Sequence, residues 1–362
     1  MKSTKKASKT IFVVTAFIAV VTVVLVYVIQ KYDNNTYPED FNKQWALYNT
    51  GQIIEGIKGK RGVDINVKKA WKITKGEKEI IVGLLDTGIQ YDNVFIKASV
   101  FENTLEIPNN GIDEDENGYI DDVHGWNFFA DSNVIYNNYL HDFHGTQLAS
   151  IIASSHENGN IIGVSPNITL LPLKFMQGTK GNINSAINAI SYGVEMGVRI
   201  INCSWDNLEY NQNLEKIIRK NNDVIFVCSA GKSSTTFENS PVYPAAFDLP
   251  NVISVAAVDN KALLCANSGF GSLVDVAAPG GNVLVSLPDG DADYVSGTSI
   301  ATAYVTGTIA LMLSVNPNLT PEEIIEITKS TSKPLKTLKG KVASNGIIDA
   351  YACVMAARKS KK

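Results

Sequence analysis

Cysteine and histidine are both scarce in this 362-residue chain, at four residues each. The cysteines, Cys203, Cys228, Cys265 and Cys353, fall at no metal-ligand spacing, and a chain this long needs no disulfide scaffold. Neither structural zinc nor a cystine framework therefore explains the fold. Cys203 and Cys228 lie in apolar runs and read as small buried hydrophobes, although an oxidising compartment would let them bridge. An excess of positive charge is also missing. The net charge of −4 argues against nucleic acid as the main partner, because such proteins present a basic surface. No repeat and no internal linker is visible beyond the first 45 residues, and a 45% hydrophobic composition suits one sizeable core.

The charge that is present is unevenly placed. The first thirty residues hold Lys2, Lys5, Lys6 and Lys9 and no acid, so the remainder carries −8 (−4 less four). Ile11 to Ile29 follows with nineteen uncharged, mostly apolar residues, close to the roughly 20 needed to span a bilayer core. A cleaved signal peptide has an apolar stretch of only about 7–15 residues and a small-x-small site. This segment ends Val26-Tyr27-Val28-Ile29-Gln30-Lys31, with no such site and no lipid-modifiable Cys. The expectation is an uncleaved, single-pass signal anchor. Residues 1–10 then lie in the cytoplasm and the rest faces outside the cell membrane. Residues 30–45 read as a polar stalk, and 46–362 as one domain ending in a basic tail.

From Glu79 onward, β-branched apolar runs alternate with helical patterns. Strand-like runs are Ile80 to Leu85, Thr169 to Leu173, Val198 to Cys203, Val224 to Cys228 and Val252 to Val258. Helical segments are Leu148 to Ser154, Asn184 to Met196 and Leu214 to Asn221, with a helix opened by Thr320-Pro321-Glu322-Glu323 and a last one from Ile347 to Arg358. Continuous apolar strands alternating with helices predict an α/β fold: a mostly parallel central sheet with helices on both faces, here preceded by the transmembrane helix.

Three short motifs carry chemistry. Asp86-Thr87-Gly88 ends the first apolar strand, at the sheet edge where ligands collect in open α/β folds. His144-Gly145-Thr146 opens an apolar helix. Ser296-Gly297-Thr298-Ser299-Ile300-Ala301 places Ser299 near the start of a buried helix running to Val315, where its own N–H faces a developing oxyanion. A Ser hydroxyl becomes a nucleophile when an imidazole takes its proton, and a carboxylate fixes that imidazole's tautomer. Each motif also has an ordinary structural reading: a turn carboxylate, a packed histidine, a helix-capping serine. His124, His141 and His156 lie in polar surroundings and read as surface residues.

The order Asp, His, Ser in these contexts resembles the subtilisin-like serine proteases, the subtilases, over roughly residues 42 to 357. Gly163-Val164-Ser165-Pro166, Ala277-Ala278-Pro279-Gly280, Gly346-Ile347-Ile348-Asp349-Ala350 and the stretch Gly62 to Trp71 also look like family segments. The resemblance implies a subtilisin-like fold and a serine endopeptidase with Asp86, His144 and Ser299 as charge relay. It also implies a peptide or protein substrate, and the charge balance already argues against a nucleic-acid partner. Two departures matter. Where the family carries Ala-Gly-Asn, with the Asn donating to the oxyanion, this chain has Ser229-Ala230-Gly231-Lys232. Losing such a donor costs on the order of 10²–10³ in turnover. Lys232 either supplies an ammonium donor or turns to solvent and leaves the oxyanion site half-made. In the second case the chain is a pseudoprotease, a binding or scaffold protein. The substrate edge, Ser204-Trp205-Asp206, lacks the family's usual Gly. Trp205 and Asp206 either narrow the groove or select a basic side chain, or else are a surface Trp and a turn Asp. With no room for a folded propeptide after the anchor, folding is expected to be unaided or to use a helper.

Asp113-Glu114-Asp115-Glu116-Asn117-Gly118-Tyr119-Ile120-Asp121-Asp122 sets oxygen ligands at alternating positions with Gly sixth. That matches the first nine positions of an EF-hand-type loop: Asp113, Asp115, Asn117, the Tyr119 carbonyl and Asp121. Position twelve is His124, so the loop is no complete EF-hand. Six acids in ten residues repel one another without a cation, and the expectation is a structural calcium ion. Hydrolysis by the relay needs no metal.

Overall fold

The computed structural model describes residues 21, 22, 37 and 39–360, other than 158, 159 and 234. The basic segment 1–10, all but two residues of the apolar segment 11–29, half of the expected stalk (30–36 and 38) and the last two lysines lie outside the described residues. The rest of that stretch is not a polar stalk: Phe41, Gln44 and Trp45 are buried against the domain.

Nine strands form the central sheet: β1 (Ile81–Asp86), β2 (Trp126–Asn127), β3 (Thr169–Lys174), β4 (Ile200–Cys203), β5 (Ile225–Ser229), β6 (Val252–Val258), β7 (Val276–Pro279), β8 (Lys333–Pro334) and β9 (Gly346–Ile347). Their order across the sheet is β8-β9-β7-β6-β5-β4-β1-β3-β2, and every pairing is parallel except β8 with β9. All seven residues of β6 are buried, as the interior of a parallel sheet covered on both faces requires.

Six longer helices accompany it: α1 (Tyr139–Ala153), α2 (Ile183–Glu195), α3 (Gln212–Lys220), α4 (Thr298–Val315), α5 (Pro321–Ser330) and α6 (Ala350–Lys359). α4 lies against β4 to β7 with α1 and α6 beside it, while α2 packs on α3 and on β1 and β3. Polar caps start them. Asn182 accepts from Ser185 N at 2.8 Å to open α2. Thr320 and Glu323 form a reciprocal capping box at α5. α4 is long and apolar enough to cross a membrane, but it is a core helix here, mostly buried.

The connections position the site. After β1 the chain builds β2 and β3 on one side of it, then crosses to build β4 and β5 on the other. In open α/β sheets ligands bind beyond the carboxyl ends of the strands at such a reversal. Asp86, Cys203-Ser204 and Ser229 all fall there.

The cysteines are free thiols. Cys203 and Cys228 are direct register partners across β4 and β5, and burial together with the Cys203 contact pushes the Cys228 thiol well up.

Candidate active site

Asp86 is the last residue of β1 and is fully buried. Its Oδ1 accepts the Thr87 N–H at 2.7 Å and lies 2.8 Å from Nδ1 of His144. Its Oδ2 is buried with no hydrogen-bond partner among the described residues.

Close packing of two glycines makes the approach of α1 possible. A Cβ on Gly145 would lie 2.1 Å from the Gly88 carbonyl oxygen, and one on Gly88 would lie 1.9 Å from the Ile135 carbonyl oxygen, so neither position tolerates a side chain. The Gly145 N–H donates to Thr87 Oγ1 at 3.0 Å, pinning the helix to the loop beside Asp86.

His144 keeps 29% of its side chain exposed. Burial disfavours its imidazolium, but the charge and hydrogen bond of Asp86 outweigh burial and raise its pKa above the usual value, with the Lys232 charge opposing them.

A buried ion pair stands behind this couple, and sequence reading missed it. Lys174 ends β3 as the register partner of Asp86. Its ammonium donates to the Thr87 carbonyl at 2.6 Å and to Asp142 Oδ1 at 2.5 Å. Lys174 is 1% exposed and Asp142, two residues before His144, is fully buried. The other Asp142 oxygen accepts the N–H groups of Asn137 and Asn138. Burial pushes the Lys174 pKa down, and the carboxylates of Asp142 and Asp86 resist. The only local signal was a lysine closing an otherwise apolar strand.

Ser299 sits in the first turn of α4. Its hydroxyl donates to the Ser204 carbonyl at 2.9 Å, while the Ser204 hydroxyl donates to the Ser299 carbonyl at 3.0 Å. The segment after β5 is tied to the same helix start. Ser229 Oγ donates to Thr298 Oγ1 at 2.8 Å and accepts the Gly231 N–H at 3.2 Å. The Ala230 N–H bonds to the Val255 carbonyl, and Gly231 adopts φ +72°. Residues 204–206 and 229–231 therefore lie on either side of the turn that carries Ser299.

Trp205 is 8% exposed, tilted against Phe175 with centroids 4.9 Å apart, and its indole N–H has no partner among the described residues. It is a buried residue, which corrects the surface alternative. Asp206 is open to solvent, yet its Oδ2 is 3.4 Å from where a Gly231 Cβ would sit. Partial desolvation of its carboxylate by the surrounding chain raises its pKa, and the Lys232 charge opposes that rise. Lys232 itself is exposed, within electrostatic reach of both His144 and Asp206.

The acidic loop brings together a somewhat different set from the alternating pattern. Carboxylates of Asp113 and Asp115 converge with that of Glu106, all within 4.8 Å of one another. Glu106 lies outside the motif and was not expected. Asn117 bridges Asp115 and Asp122 through its amide nitrogen. The Asp121 carboxylate accepts the N–H groups of Asn110 and Gly111. The Tyr119 ring packs against Trp126, Phe128 and Tyr192. Of the remaining histidines, His124 is half-buried with Nδ1 on the Phe101 carbonyl. His156 is likewise half-buried, edge-on to Trp71 at 4.5 Å, so neither is the surface residue expected, whereas His141 is exposed.

Residues 77–348 match the profile described as the subtilase family. Subtilisin-like protease 1 of Plasmodium falciparum is 31% identical over 307 residues, which cover 77% of this chain and 44% of that protein. The Plasmodium berghei protein of the same name is 28% identical over 303 residues, 77% of this chain and 50% of its own length. The chain thus spans about half the length of these curated relatives. Among solved structures, a protease from Pseudoalteromonas arctica superposes with a TM-score of 0.68 at 23% identity, covering 89% of this chain and 99% of that one. The prenylagaramide maturation protease gives 0.62 at 23% identity, covering 80% and 98%. Both share the fold.

Proposed function

The chain belongs to the subtilase family, and from that premise we propose that it is a serine endopeptidase working through Asp86, His144 and Ser299. The observation that carries this reading is the 2.8 Å bond from His144 Nδ1 to a buried Asp86 at the sheet's switch point. That bond leaves Nε2 as the proton acceptor. On substrate binding, the Ser299 hydroxyl turns from the Ser204 carbonyl to Nε2 and attacks the scissile carbonyl as His144 takes its proton. Asp86 stabilises the imidazolium. The oxyanion accepts the Ser299 N–H and the Lys232 ammonium. His144 then passes the proton to the leaving amine, and water repeats the sequence on the acyl-enzyme. The peptide pairs as an added strand along 204–206, opposite 229–231.

The same reading includes the membrane anchor at residues 11–29, a domain outside the cell, and a structural calcium ion. The oxygen-only set of Glu106, Asp113 and Asp115 suits a hard cation, with Asn117 beside it. Asp121, whose carboxylate accepts the Asn110 and Gly111 N–H groups, is not part of that convergence; the Tyr119 carbonyl remains the ligand the loop spacing suggests. Placement at the membrane favours processing of particular exported peptides or proteins, with or without a folding helper.

Fluorophosphonate labelling of the purified protein tests the central reading. Wild type is expected to label and Ser299→Ala to stay blank. An unlabelled wild type beside a strongly labelled Lys232→Asn would instead identify a pseudoprotease silenced by Lys232.

A further inference from the structure

We propose that the basic face around the short helix Val67–Ala70 docks onto an anionic lipid surface, held there by the chain's own N-terminal segment. This rests on the membrane-anchor reading above. Residues 58–78 contain eight Lys or Arg against two acids, in a chain of net charge −4. Positive charge is therefore concentrated in one stretch of an otherwise acidic domain.

Folding turns that stretch into a surface. Arg61, Lys68, Lys69 and Lys72 line one open concavity of about 460 Å³, and Lys333 joins them from the far end of the sequence. The Lys333 ammonium donates to the Gly62 carbonyl, which fixes it in the patch. Arg61, Lys69, Lys72 and Lys333 are exposed, and none has a carboxylate within ion-pair distance among the described residues.

Among the described residues one acid, Asp64, lines the same concavity and interacts with Lys333, offsetting one of the five cations there. Asp64 is 9% exposed and its two oxygens accept the N–H groups of Asn49 and Asn66 at 2.8 and 2.9 Å. Asp349 is engaged in capping α6 and in binding the Asn66 amide. The rim is aromatic: Lys68 Nζ lies 4.7 Å from the Tyr37 ring centroid and 4.4 Å from that of Tyr48, which is 40% exposed. Cations beside amphipathic rings suit the headgroup layer of a bilayer.

Chain length names the occupant. Tyr37 lines this same concavity, and seven residues, 30–36, separate it from the end of the apolar segment at Ile29. Fully extended, seven residues reach about 25 Å at most. An anchor at 11–29 therefore holds this face near the membrane at a high effective concentration. Attraction to anionic lipid then acts within a Debye length, about 8 Å at physiological salt. The patch shares no residue with the active site or the substrate edge.

Lysine-acylation footprinting of the full chain in vesicles tests this. The vesicles are phosphatidylcholine alone, or contain roughly one-third phosphatidylglycerol to supply the surface charge. In anionic vesicles at about 0.05 M salt, acylation of Lys69, Lys72 and Lys333 should fall about fivefold relative to exposed Lys180, and recover near 1 M salt, where the Debye length is about 3 Å. Neutral vesicles should give no protection. Equal acylation in both lipids, with the chain still floating with the vesicles, overturns the docking while leaving the anchor standing. A chain that floats with neither overturns the anchor and the docking with it. Protection by heparin but not by anionic vesicles replaces the membrane with a soluble polyanion.

Discussion

Lys174 and Asp142 are charges placed where water does not reach, 1% and 0% exposed. Breaking such a pair leaves one charge uncompensated, at a cost of about 3–5 kcal/mol. Lys174→Met should therefore lower the denaturation midpoint strongly, and adding Asp142→Leu should recover part of the loss; equilibrium unfolding of the two variants checks this. Lys232 acts through a field. Its charge pulls the His144 pKa down against Asp86, so Lys232→Asn should move the acid limb of the kcat/KM profile toward higher pH. A limb unmoved or shifted to lower pH would show that Lys232 does not reach the imidazole's field. None of this was readable locally. Asp86, His144 and Ser299 each announced themselves by a neighbouring glycine and an apolar flank. Lys174, Asp142 and Glu106 have meaning only through partners 32 residues away across the fold or, for Glu106, seven and nine positions along an irregular loop.

Among the elements, strands were the more legible, because burial on both faces forces a continuous apolar run. Val252–Val258 matches its expected span, and Thr169–Lys174 exceeds its own by one residue. α1 was harder: its first two turns are Tyr139-Leu140-His141-Asp142-Phe143-His144-Gly145, mixed in polarity. That polar start is held by the Asn138 cap and by Asp142 bonding to Lys174, not by an apolar stripe. The helix is only as well placed as its glycine contact. Gly145→Ala puts a carbon 2.1 Å from the Gly88 oxygen and displaces His144. About 100-fold or more of kcat/KM should be lost, with the unfolding midpoint showing whether the domain still folds. α5 offers a contrast. Thr320→Ala removes a cap worth about 1 kcal/mol, and should shift the melting temperature slightly while leaving activity unchanged.

For the molecule as a whole, two histidines pull stability in opposite directions with pH. His144 has a raised pKa, so its ionic contribution is full below the ordinary value of 6.5 and is lost as pH climbs through the raised one. Burial pushes His156 down to about 4. Its contribution is full above 6.5 and disappears as pH falls toward 4, where the unfolded chain binds the proton more readily. His156→Gln should flatten the stability curve across that window, as read by denaturant melts at several pH values. Chelation of calcium should lower the melting temperature, and added calcium should restore it. The reciprocal hydroxyl-to-carbonyl bonds between Ser204 and Ser299 have a bearing on timing. On the proposed reading, a peptide that pairs along 204–206 competes for the Ser204 carbonyl on which the Ser299 hydroxyl rests. Arrival of the peptide and release of the hydroxyl become one event. Under the proposed peptidase reading, the nucleophile is parked until a peptide frees it.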